Sequence, residues 1–333
     1  MDLFRRLFSQ TNASEEGLSV ETPTVKETVT TPFESPTAPL TEAPAATSTM
    51  SDGDTATFVA DGATRPLPPE TVIASSNEHL TFGQATDVGM VRTNNQDSVL
   101  SFLSTSRSSD QRPDFGLFIV ADGMGGHHDG EKASALTAHM VASYVTNHVY
   151  LPMLDSDNDS ERVPITEAMI SAVQKANGDV ITKVPDGGTT CTAVAVVGDL
   201  AYVAHVGDTQ VYLITKDGAE QITRDHSLVQ RLIELGQLTP DEAAVHPQKN
   251  VLYRALGQNE NLEVDALTRR LPPNSKLMIC SDGLWNMISE AEIIDITLKH
   301  SNPQEACDKL VALANTHGGM DNITAILLQI PAN

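Results

Sequence analysis

Apolar runs in this chain stop, again and again, on an aspartate. FGLFIV leads into Ala121-Asp122-Gly123, KLMIC into Ser281-Asp282-Gly283, and AYVAHV into Gly207-Asp208. The order is reversed where Asp321-Asn322 stands just before ITAILL, and where Asn94-Asn95-Gln96-Asp97 leads into SVLSFL. A carboxylate at the rim of a buried sheet is costly to desolvate unless it is paired or bound to a cation, and few Lys or Arg lie near enough in sequence to pair with all of these. Each Asp-Gly or Gly-Asp taken alone is an ordinary turn signal. Their repetition at the ends of apolar strands points instead to one acidic rim. Oxygen-rich, sulfur-free clusters of this kind suit Mg2+ or Mn2+, hard cations that keep several waters. Glycine after Asp122 leaves room for a backbone carbonyl to approach such an ion. Arg92 precedes Asp97 closely enough to share the rim, and its planar fork suits phosphate oxygens.

Short apolar or alternating runs predict strands near 79–85, 97–103, 115–121, 190–197, 200–206, 210–215, 262–270, 276–281 and 323–330. Leu136, Met140, Val141, Tyr144, Val145 and Val149 recur at helical spacing and predict one core-facing helix over 131–150. Similar spacing predicts helices at 164–182, 227–236, 289–299 and 303–316, the last stopping at Gly318-Gly319. Strict strand–helix alternation is absent. The expected fold is therefore α+β: a four-layer αββα sandwich, with two central, mostly antiparallel sheets flanked by helices.

Residues 1–78 have a different texture. They hold fourteen Thr and eight Pro with almost no apolar periodicity, so they bury too little surface to offset the entropy of ordering and are expected to form a disordered acidic tail. The globular domain is expected over 79–333. At the start of the tail, Leu3, Phe4, Leu7 and Phe8 share a helical face beside Arg5 and Arg6, a short amphipathic element suited to docking a partner or touching a membrane. A net charge of −23 excludes a broad nucleic-acid footprint, which needs Lys and Arg stripes. The three cysteines, Cys191, Cys280 and Cys307, have no metal or disulfide spacing and read as reduced core thiols of a cytoplasmic protein. No run approaches the ~18 apolar residues of a membrane span, and no apolar signal core opens the chain.

Eight stretches, in order and with compatible spacing, resemble the bacterial branch of the metal-dependent Ser/Thr protein phosphatases, the PPM or type 2C family. They are TDVGMVRTNNQDSV (86–99), FIVADGMGGHHDGEKAS (118–134), GGTTCTAVAV (187–196), AHVGDTQVY (204–212), ITRDHSLVQ (222–230), HPQKNVLYRALG (246–257), CSDGLW (280–285) and GGMDNIT (318–324). The resemblance implies a dinuclear Mn2+ or Mg2+ centre bridged by Asp122, with the Gly123 carbonyl on the first ion and Asp282 and Asp321 completing the second. It implies a third, weaker site at Asp208 with Asp282, and Asp97 close by, acting mainly through bound water. Arg92 would hold the substrate phosphate, and residues from about 226 to 256 would form a flap beside the site. The implied substrates are phosphoserine and phosphothreonine proteins, bacterial Ser/Thr kinases among them, handled by a monomeric enzyme.

Several positions depart from the family pattern. Gln96 stands where eukaryotic members carry Glu, Met124 where they carry a histidine proposed as general acid, Thr209-Gln210 replaces the usual Ser-Arg, and Met320 replaces the commoner Arg. His127 is the candidate acid left nearby. The Thr-rich tail would suit a phosphorylated arm for a forkhead-associated domain protein. A catalytically inactive phosphoprotein-binding regulator is the alternative reading, and the retained aspartates argue against it. Deleting residues 1–78 is expected to leave hydrolysis of a small chromogenic phosphate ester largely unchanged. Loss of folding in the truncated protein would place the domain boundary elsewhere.

Overall fold

The computed structural model describes residues 79–105, 113–125, 128–155 and 163–332. Five strands, β1 (Thr81–Asp87), β7 (Gln210–Thr215), β8 (Gly218–Gln221), β10 (Lys276–Cys280) and β11 (Ile323–Gln329), form one sheet in the order β1-β11-β10-β7-β8. The second sheet runs β2-β3-β5-β6-β9, from β2 (Asp97–Ser104), β3 (Phe115–Gly125), β5 (Cys191–Val197), β6 (Leu200–Val206) and β9 (Asp265–Arg270), with the short β4 (Gly187–Thr189) paired to the end of β3. Every strand pair is antiparallel.

Side-chain alternation along the strands sets the layers, because successive residues of a strand face opposite sides. In β3, Leu117 and Ile119 join Val141, Val145, Ala172 and Val173 of the helices α1 (Asp129–Val145) and α3 (Ile165–Lys183) in one core. The intervening Phe118 and Val120 meet Leu277, Ile279, Ile326 and Leu328 of the other sheet in a second core. Met278, Cys280, Ala325 and Leu327, on the far face of that sheet, pack in a third core with residues of α7 (Glu290–Lys299) and α8 (Pro303–Thr316). Both central sheets are thus covered on both faces, which is why their strands read as unbroken apolar runs. The expected four-layer αββα order is the one observed.

Local signals explain where the elements start and stop. Ser289 and Glu292 form a reciprocal capping box on α7, and Asn302 caps α8 ahead of Pro303, where a missing N–H costs nothing. Gly318 and Gly319, with φ of 123° and 47°, end α8 in the left-handed region. The helix expected over 131–150 is not uniform: α1 ends at Val145, a single π-turn covers Thr146–Tyr150, and α2 (Leu151–Leu154) follows. Its buried face is also smaller-sided than expected, with Ala133, Ser134, Thr137 and Ala138 innermost. Leu136, Met140 and Tyr144 are only half-buried. The short elements β4, β8, α4 (Leu228–Glu234), α5 (Pro240–Ala244) and α6 (Asp282–Trp285) span too few residues for periodicity to single out, and only α4 falls in a predicted segment. All three cysteines are free and buried, and no described helix is long and apolar enough to cross a membrane.

Phe118 is fully buried between the sheets and meets Phe82 edge-on with ring centroids 5.2 Å apart. Phe118→Ala is expected to lower the unfolding free energy by about 3–5 kcal/mol, by lost transfer energy plus a cavity, as read from urea denaturation of the full chain.

Candidate active site

Strand register brings the aspartates to one end of the sandwich. Asp97 at the start of β2 lies opposite Asp122 in β3. Cys280 pairs with Ala325 of β11 and with Gln210 of β7. The residues just beyond these pairs, Asp282, Asp321 and Asp208, therefore emerge at a common edge. Asp282 opens the one-turn helix α6, and Asp208 follows Gly207, whose φ of 117° makes the turn after β6. Together Asp122, Asp208, Asp282 and Asp321 line a cavity of about 290 Å³ with Arg92, Gly123, Thr190, Asn250, Leu252 and Gln258.

The backbone around the carboxylates is held without slack. Thr190 exchanges contacts with Asp122 through N–H to O (2.8 Å) and through its hydroxyl, which accepts from Asp122 N (2.9 Å). A Cβ on Gly123 would stand 2.2 Å from Gly130 O and 2.6 Å from Gln96 O, and one on Gly283 would stand 2.0 Å from Asn322 O, so both positions exclude a side chain. Asn322 accepts from Gln96 N (2.8 Å) and donates to Val88 O and Asn94 O (2.9 Å each), fixing the loop that carries Arg92. Trp285 Nε1 donates to Asp208 O at 3.1 Å, tying α6 to the β6–β7 turn.

Asp97 sits behind the cavity and not on its wall. Its Oδ2 accepts from Ser281 Oγ (2.8 Å) and Thr324 Oγ1 (2.7 Å), while its Oδ1 is buried with no hydrogen-bond partner. Burial, opposed by those two hydroxyls and aided by Asp282 and Asp321, pushes its carboxyl up to about 7. Asp282 rises to about 6, first through burial and then through Asp321, against relief from Asp122, Arg92 and Lys249. Burial followed by Asp97 and Asp282 raises Asp122 well above the ordinary range, and burial followed by Asp282 and Asp225 does the same for Asp208. Asp122 and Asp282 come within hydrogen-bond reach of each other. Positive charge is what this cluster lacks, and the orphaned Asp97 oxygen points the same way, so the residues fit a bound cation. Among the described residues no three His, Cys, Asp or Glu side chains converge as a closed metal cage. Carboxylates gathered round an open cavity suit a hard cation that keeps much of its water.

Arg92 reaches the cavity as the sequence implies, but its Nη2 donates to Asp321 Oδ2 at 2.7 Å, and half its side chain is exposed. The pairing brings together a phosphate-binding candidate and a metal-ligand candidate. Opposite charges at this distance attract, and the contact holds the guanidinium at the edge of the cavity. His127 lies outside the described residues. Its neighbour His128 is exposed beside Glu131, with Nδ1 3.3 Å from Oε2. Sequence reasoning missed Asn322, Ser281, Thr324 and Thr190 as supports, and Asn250, Leu252 and Gln258 as wall residues. The first four lie inside the quoted motif stretches, yet nothing in a lone Ser, Thr or Asn separates a carboxylate-holding role from a turn.

A family model described as Protein phosphatase 2C matches residues 91–315. Protein phosphatase PhpP of Streptococcus pneumoniae is 35% identical over 251 residues, 74% of this chain and 95% of that protein. The structure of the S. agalactiae serine/threonine phosphatase superposes with a TM-score of 0.65 at 34% identity, covering 76% of this chain and 100% of that one. The catalytic domain of the serine/threonine protein phosphatase PstP in complex with two manganese ions gives a TM-score of 0.60 at 30% identity, covering 75% and 97%. The chain belongs to the protein phosphatase 2C family, and its class of enzyme is a protein phosphatase.

The raised carboxyl of Asp97 has a consequence for stability. Its folded pKa of about 7 lies above the ordinary 3.8, so the folded state binds the proton more tightly and stability falls as pH rises through that window. In a metal-free preparation the melting temperature of the native protein, taken relative to Asp97→Asn, is expected to drop as pH is raised from about 4 to about 8. Calorimetric scans with a chelator present would check this, and a flat difference would contradict it.

Proposed function

We propose that this protein is a metal-dependent phosphatase of phosphoserine and phosphothreonine proteins, and that it opposes Ser/Thr kinases. The observation that carries the reading is the set of mutually repelling carboxylates around one cavity, with Arg92 on the same wall. Asp122, the Gly123 carbonyl, Asp282 and Asp321 would hold two Mn2+ or Mg2+ ions, and Asp208 with Asp282 would offer a third, weaker site. When bound, such a pair of ions lowers the pKa of a water and offsets charge on phosphate oxygens.

The chain's own residues supply the rest. Arg92, which reaches the cavity beside Asp321, would place a bidentate donor on the phosphate and neutralise charge on its equatorial oxygens. Asn250, Leu252 and Gln258 line the same cavity and would help hold the ester for in-line attack. Asp97 stays behind the wall, held by Ser281 and Thr324, and sustains the negative field without touching substrate. His127 is the proposed proton donor to the departing serine or threonine oxygen. Water itself is the proposed nucleophile, and no phosphoenzyme is required.

The Asp282→Asn variant is expected to keep its fold and lose far more than the about 10–100-fold that removal of an outer partner costs. The assay is Mn2+-dependent hydrolysis of a chromogenic phosphate ester and of phosphoserine peptides. Near-normal turnover in the variant would contradict the assignment, and no turnover by the folded native protein would favour a phosphoprotein-binding regulator.

A further inference from the structure

His226 takes no part in the chemistry above, yet it is almost completely buried at a junction of three segments. Its backbone N–H donates to Gly207 O at 2.7 Å, and Gly207 N–H lies 3.1 Å from its Nδ1. Gly207 immediately precedes Asp208. Both polar groups of that peptide position are therefore held by one residue. A backbone N–H can only donate, so Nδ1 accepts, and the proton of the neutral ring lies on Nε2. Nε2 faces Asp265 Oδ2 at 3.2 Å. Arg254 Nη1 stands 3.1 Å from the same nitrogen and donates to Asp265 Oδ1 at 2.6 Å. Burial keeps this imidazole below its ordinary range, which preserves the lone pair that Gly207 needs.

His226 also begins the flap, and Arg254 lies at its exit. Tyr253 N donates to His226 O at 2.9 Å and Leu228 N to Val251 O at 2.7 Å, so the backbone joins the two ends of the flap beside this ring. Between them lie Asn250 and Leu252 of the cavity wall. The turn itself cannot yield elsewhere: a Cβ on Gly207 would stand 2.5 Å from Thr190 Cβ, so the segment has one seat, and His226 supplies two of the bonds that keep it there.

We infer that His226 is a positioning residue that couples the seating of the flap to the placement of Asp208, its Nδ1 serving the Asp208 turn and its Nε2 the Asp265–Arg254 pair at the flap exit. This rests on the proposed function for its consequence at the metal site, but not for the coupling itself. The two ring nitrogens make separable demands. Asparagine places an amide near Nδ1, and its oxygen can accept from Gly207. Glutamine places an amide near Nε2 and can reach Asp265.

The test uses full-length protein and two readouts. Amide hydrogen exchange of the metal-free protein is compared for His226→Ala, His226→Asn and His226→Gln. Titration calorimetry with Mn2+ follows the weakest binding step. His226→Ala is expected to speed exchange both at 204–209 and across 226–256, and to weaken that step by about 10-fold or more, the scale on which outer partners of metal ligands act. His226→Asn should restore the 204–209 segment and the Mn2+ step while the flap stays fast, and His226→Gln should do the reverse. Equal losses in Asn and Gln, or native exchange and Mn2+ affinity in Ala, would overturn the inference. Should the Ala variant not fold, Arg254→Gln takes its place, with faster exchange expected at both 226–256 and 204–209, and native exchange at 204–209 overturning the coupling. Failure of the native protein to bind Mn2+ would instead overturn the proposed function, and the metal-free exchange result would still stand or fall on its own.

Discussion

One carboxylate oxygen joins the two sheets at the end where the site lies. Asp97 Oδ2, at the head of β2, accepts hydroxyls from Ser281 after β10 and Thr324 in β11, and so links the helix-covered sheet to its neighbour at the level of Asp122 and Asp282. Elsewhere the sheets meet through Phe118, Val120, Leu277 and Ile326, contacts that set spacing but have little direction. Hydrogen bonds, unlike apolar contacts, have preferred directions. The rivet therefore fixes how the rim of one sheet stands against the rim of the other, and every carboxylate of the cavity is placed by that relation.

The same arrangement carries a cost. Burying Asp97, Asp122, Asp208 and Asp282 near one another raises all four carboxyls above their ordinary range. Such an arrangement persists because the surrounding packing over-determines it: Gly123 and Gly283 are pressed against backbone oxygens, Asn322 holds the Arg92 loop, and Trp285 holds Asp208. Frustration of this kind at one locus of an otherwise consistent fold is the physical mark of a site built for a ligand of opposite charge. The Arg92–Asp321 pair is the partial relief available within the chain itself.

The flap belongs to this scheme through its base. His226, Arg254 and Asp265 form a buried-to-surface chain of polar contacts, while the wall residues Asn250 and Leu252 hang from it. Charged partners that are only partly buried contribute modestly to stability. Their value here lies in geometry, since they connect the segment holding the short helices α4 and α5 to the strand turn that presents an acidic residue.

Much of this was legible before any coordinates. The αββα layering followed from strands grouped together without strict strand–helix alternation, and Asp122, Asp208, Asp282 and Asp321 announced themselves because a carboxylate at the end of an apolar run needs a reason. Elements shorter than two turns or four residues, such as α6 and β4, stayed hidden because a period cannot be read from so few positions. The break of the 131–150 helix at a π-turn was equally silent, since the hydrophobic spacing tolerates one extra residue. Residue types and their order along the chain thus determined the fold class, the acidic rim and the family. Only the tertiary structure decided that Asp97 lies behind the wall and not on it, that Arg92 rests on Asp321, and that His226 spans the flap and the Asp208 turn. The reason is physical: those relations join residues far apart in sequence, through strand register and hydrogen-bond direction, which no local pattern encodes.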